Sequence, residues 1–96
     1  MMTNMPLTFD SVVKRNAGLM STQLGDDMIV LNPLRDNYIG LDEIGGRVWA
    51  LLAAPIKVDQ LCRQVARQYQ GDRQQIPADL IAFLNELDGE GLLEVE

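Results

Sequence analysis

The sequence predicts an α+β fold in which a three-stranded antiparallel sheet is followed by three helices. One change of hydrophobic period carries that prediction. Up to Leu41 the apolar residues alternate in short runs broken at Gly25-Asp26-Asp27 and at Pro33 to Asp36; beyond it they recur at helical spacing. The 96 residues suffice for a single core. A content of 47% hydrophobic and 23% charged residues is that of a folding chain rather than a disordered one.

Residues 1 to about 11 mix Met, Thr, Asn and Pro without period and are expected to form a flexible tail, with one domain over 12–96. VVKRNAGLMSTQL reads as the first strand, MIVLN as the second and NYIGL as the third. Side chains alternate along a strand, so Ile39 and Leu41 share the face assigned to the core, and Tyr38 and Gly40 share the other. Asp42 suits an N-cap because its carboxylate can accept from free N–H groups of the first turn. Ile44, Val48, Leu51 and Leu52 then form the first helical stripe, ended before Pro55. The second helix has Val58, Leu61, Cys62, Val65, Ala66 and Tyr69 on one face and a stop near Gly71. The third is expected to begin near Pro77, with Ile76, Leu80, Phe83, Leu84 and Leu87 as its stripe and Gly89 or Gly91 as its end. The closing GLLEVE returns Leu92, Leu93 and Val95 to the core as strand or coil.

The chain has no histidine and one cysteine, which removes Ser-His-Asp and Cys-His catalysis, Cys/His zinc sites and an internal disulfide. Cys62, on a buried stripe, reads as a packed small hydrophobe. Asp26-Asp27 and Asp42-Glu43 read as a solvated turn and a cap, and Trp49 as core or core edge. Gly45-Gly46 lacks phosphate-loop spacing and is read as a close helix-to-strand approach. No catalytic residue, metal ligand or cofactor is expected. The start has no basic segment followed by an apolar one, and no run approaches the ~20 apolar residues that span a bilayer, so a cytoplasmic protein without a membrane partner is expected.

The net charge of −6 is unevenly placed: after Arg73 come six acidic residues and no basic one. Nucleic acid is therefore not an expected partner, because Lys and Arg must replace its condensed counterions. NYIGL is unusual for an edge strand, since it carries neither charge nor proline. An extended peptide could add to it; the chain's own N-terminal segment or a second copy could equally cover it.

VVKRNAGLMST, LNPLRDNYIGLDEIGGRVWALL, VDQLCRQVARQY and ADLIAFLNELDGEGLLEVE together resemble the PqqD-like family over about residues 12–95. These are small recognition elements for ribosomally synthesised, post-translationally modified peptides. The telling pieces are Leu41-Asp42, the run Gly45, Val48, Trp49, Leu51 and Leu52, and the ending Asp79, Leu80, Phe83, Leu84, Leu87, Gly91, Leu92 and Leu93. The resemblance implies a winged-helix-like fold without catalytic activity. It implies that a precursor's leader segment adds as a strand to the third strand and lies against the third helix, for delivery to a modifying enzyme or leader peptidase. The peptide-binding residues it points to are Asn37, Tyr38, Ile39, Gly40, Asp79, Leu80, Phe83, Leu84 and Leu87. Members serving pyrroloquinoline quinone synthesis carry Tyr-Pro-Glu and Cys-Asp-Gly where this chain has Asn32-Pro33-Leu34 and Ala54-Pro55-Ile56. DNYIGLD and GGRVWALL look more like stand-alone members of lasso peptide pathways. The alternatives are a winged-helix DNA-binding protein, which the acidic third helix opposes, a small enzyme, and a self-associating adaptor. Asp79 and Glu86 would steer a basic leader toward the third helix.

Overall fold

In the computed structural model, which describes residues 7–33, 35–68 and 74–96, the expected first strand is two strands in different sheets. β1 (Val12–Arg15) ends at Asn16, and Gly18, with φ 84°, redirects the chain into β2 (Met20–Leu24). Asn16 anchors the break. Its N–H donates to the Leu92 carbonyl and its side-chain amide to the Gly91 carbonyl, which ties the end of β1 to the C-terminal segment. β2, β3 (Asp27–Asn32) and β4 (Asn37–Leu41) form the expected antiparallel meander, with a tight turn at Gly25-Asp26. β4 is the strand predicted as the third.

β1 instead lies at the centre of a second antiparallel sheet, between β5 (Ile56–Lys57) and β6 (Leu93–Val95). The closing segment is thus a strand where the sequence left strand or coil open. The described chain is a mixed α+β domain of two three-stranded antiparallel sheets and three helices, in place of one sheet followed by three helices.

α1 (Glu43–Leu51) starts as predicted: the Gly45 N–H donates to Asp42 Oδ1 at 2.8 Å. Val48, Trp49 and Leu52 are buried, whereas Ile44 stands at the surface although it belongs to the predicted stripe. α2 (Val58–Gln68) buries Val58, Leu61, Cys62 and Val65. Tyr69 and Gly71, the predicted continuation and stop, lie outside the described residues. α3 (Ile76–Gly89) has proline in its first turn and buries Ile76, Leu80, Leu84 and Leu87. Its end is a Schellman motif. Gly91, at φ 76°, donates to the Asp88 carbonyl, Leu92 donates to the Leu87 carbonyl, and the side chains of Leu87 and Leu92 are both buried.

The segment just before β1 is held in place, against the expectation of a loose tail up to residue 11. Leu7 is buried, and its N–H donates to Asn85 Oδ1. The carbonyls of Phe9 and Ser11 accept from Asp59 and Val58 N–H, so this segment also caps the start of α2. No described helix is long and apolar enough to cross a membrane.

Candidate functional site

Antiparallel pairing places Val30 opposite Ile39 and Met28 opposite Leu41 on the inner face of the meander. On the outer face Leu31 lies opposite Tyr38 and Met20, and Ile29 opposite Gly40. β4 pairs with β3 along one side only; no described strand pairs with its other edge. That edge faces α3.

Two hollows lie between β4 and α3 and meet at Gly40 and Phe83. One, of about 500 Å³, is bounded by Ile39, Gly40 and Leu41 on the strand and by Phe83, Glu86, Leu87 and Glu90 at the C-terminal half of α3. The other, of about 440 Å³, runs under the start of α1, where Asp42, Ile44, Gly45 and Val48 face Ile76, Asp79, Leu80 and Phe83. Phe83 is half-buried and divides them.

Local chemistry sets the width of this groove at both ends. At the C-terminal end of α3, Arg35 Nη1 donates to the Gly89 carbonyl and Asn32 Nδ2 to the Glu90 carbonyl. Asn37 Nδ2 donates to Glu90 Oε1. The first two satisfy carbonyls that the helix leaves free, and all three pin its end to the β3–β4 turn. Beyond Phe83, Gly45 permits close approach. A Cβ there would lie 3.2 Å from Asp42 Oδ1 and 3.3 Å from Leu41 Cβ, so the N-cap and the end of β4 would have to give, and it would touch Phe83 Cζ at 3.4 Å. The reading of Gly45-Gly46 as a close approach holds for Gly45, with α3 as well as the end of β4.

Of the predicted peptide-binding residues, Ile39, Gly40, Asp79, Leu80, Phe83 and Leu87 line the two hollows. Asn37 reaches the groove's end through its bond to Glu90. Two side chains lie elsewhere. Leu84 is fully buried in the core and lines neither hollow, because its neighbour Phe83 occupies the groove side of the helix. The Tyr38 ring, 65% exposed, belongs to the outer face of the meander with Leu31 and Met20; only its backbone runs along the open edge. Leu41, Asp42, Ile44, Gly45, Val48, Val65, Ile76, Glu86, Gly89 and Glu90 also line the hollows and are not among the predicted peptide-binding residues. No local pattern separates Ile44 from the rest of its stripe, since it stands one turn before buried Val48 on the same face.

A family model described as Coenzyme PQQ synthesis protein D (PqqD) matches residues 27–93, which contain both walls of the groove. The chain belongs to the PqqD family. A solved structure of TbiB1 in complex with the TbiA(beta) leader peptide is similar to this PqqD-family chain at a TM-score of 0.75 and 30% identity, over 84% of this chain and 94% of the other. No curated relative matches the sequence significantly. Among the described residues of this family member, no cluster of His, Cys, Asp and Glu could hold a metal ion.

Proposed function

We propose that this chain binds the leader segment of a ribosomally synthesised precursor peptide, by strand addition to the open edge of β4, and presents it to a modifying enzyme or leader peptidase without catalysing a reaction itself. The observation that carries this reading is the open, uncharged edge of β4 beside a groove walled by α3, in a chain similar to a protein solved with a leader peptide. Backbone pairing along β4 supplies affinity, and the hollows on either side of Phe83 receive alternate side chains of the added strand. In this reading the winged-helix-like part of the fold serves a peptide rather than DNA: α3 carries Asp79, Glu86 and Asp88 and no basic residue. We assign the pathway to the lasso peptide type on the DNYIGLD and GGRVWALL segments. Neighbouring reading frames encoding a precursor and a leader peptidase support that assignment, and a radical enzyme of quinone cofactor synthesis there contradicts it.

A synthetic leader from the adjacent precursor gene is expected to bind with micromolar affinity or better, about −8 kcal/mol. Successive residues of a strand point their backbone groups to opposite sides, so one of Ile39 and Gly40 presents its N–H to the open edge. Of Ile39→Pro and Gly40→Pro, one is expected to abolish leader binding in calorimetry while keeping the circular dichroism of the parent, since proline removes a ladder donor. Phe83→Asp is expected to weaken binding at least tenfold. Leader binding that survives both proline variants would rule out strand addition.

A further inference from the structure

The groove is apolar at its floor and negative at its rim, and among the described residues no ion pair compensates that negative charge. Asp79, Phe83 and Glu86 of α3 and Glu90 at its C-cap follow one another at offsets of 0, 4, 7 and 11, a single line along the helix, and all four border the hollows. Asp42 adds a fourth carboxylate from the opposite wall. Among the described residues, no lysine or arginine lines either hollow.

Ion pairing follows the same division. The described ion pairs are Lys14–Glu94, Lys57–Asp10, Arg47–Glu43 and Arg63–Asp59, and none of their acids borders the two hollows. Asp42, Asp79, Glu86 and Glu90 have no basic side chain within 4.0 Å among the described residues. Three of them meet neutral donors: Asp42 the Gly45 N–H, Asp79 the Gln75 amide and Glu90 the Asn37 amide. Of the described cations, Arg47 pairs with Glu43, and Arg35 donates to the Gly89 carbonyl at the Glu90 end of the groove, away from Asp79.

Resting on the peptide-binding reading, we infer that the occupant of the groove is a basic peptide, with Lys or Arg placed to meet Asp79 and Glu86 on either side of Phe83. Seven residues of helix set those two carboxylates about 10 Å apart along the axis. An extended peptide rises about 3.3 Å per residue and returns to the same face every second residue, so its two basic residues stand two or four positions apart. Where the spacing is four, the residue midway between them points to the same face, over the floor beside Phe83, and is apolar. The carboxylates are exposed, so they act mainly by steering association and rejecting acidic peptides, and each contributes modestly to affinity.

Panning the full chain against a displayed library of random peptides, then measuring the enriched sequences by fluorescence anisotropy, tests this. The expected result is enrichment of Lys or Arg pairs two or four positions apart, with an apolar residue midway in pairs of the wider spacing. Binding should weaken as salt rises and fall about two- to fivefold for each of Asp79→Asn and Glu86→Gln. The double variant Asp79→Lys, Glu86→Lys should enrich acidic pairs instead. Peptides that enrich without basic residues, bind independently of salt and are lost in the edge-proline variants would overturn the charge inference and leave the binding mode standing. If nothing enriches, or enriched peptides bind the edge-proline variants normally, the peptide-binding reading falls and this inference with it.

Discussion

Burial raises the pKa of the Cys62 thiol, and the Asp59 carboxylate one turn away acts in the same direction. With its pKa higher in the fold than in the unfolded chain, the neutral thiol stabilises the fold fully below the unfolded value, and that contribution is lost as pH rises toward the folded one. The urea midpoint of the parent protein is therefore expected to fall more steeply than that of Cys62→Ala above about pH 8.5, where an unfolded thiol ionises. Trp49 shows a second kind of burial: it is 2% exposed, with the Arg15 guanidinium 5.6 Å from its ring centre and donating to its carbonyl. Both residues were legible as core because each sits on or beside an apolar stripe. Phe83 and Leu84 were not separable in that way. They are adjacent members of one stripe, and only the position of β4 and α1 turns one toward the groove and the other into the core.

At the scale of elements, the Schellman end of α3 connects fold and site, because the same turn carries the helix into β6 and sets the end of the groove. Gly91 holds φ 76°, and a Cβ there would also lie 3.5 Å from Arg35 Nε. Gly91→Ala is expected to cost about 1–2 kcal/mol in urea unfolding, and Gly91→Asn less, since asparagine tolerates this conformation better. Helix boundaries were readable from Asp42, Pro55, Pro77 and Gly91, residues whose capping or breaking effect is local. The split of the first strand was harder to read. Asn16-Ala17-Gly18 contains the turn, but what ends β1 there is hydrogen bonding of Asn16 to residues more than seventy positions away, which no local pattern reports.

Across the whole molecule, the second sheet joins distant parts of the chain. β1 brings together β5 and β6, and the segment before β1 lies against both α2 and α3. Leu7 is 7% exposed within that arrangement. Leu7→Ala is expected to destabilise the protein by about 2 kcal/mol, on the order of 10 °C in Tm by calorimetry, which a loose tail would not do. The sequence by itself determined the three helices, the β2–β4 meander, the apolar core and the acidic character of α3, because each depends on the period, turn chemistry or charge of one contiguous segment. Only the tertiary structure decided the second sheet, the anchored segment before β1 and the groove. A groove is the space between two elements, and its width depends on Gly45 and on the donors at the end of α3, contacts between residues far apart in the chain.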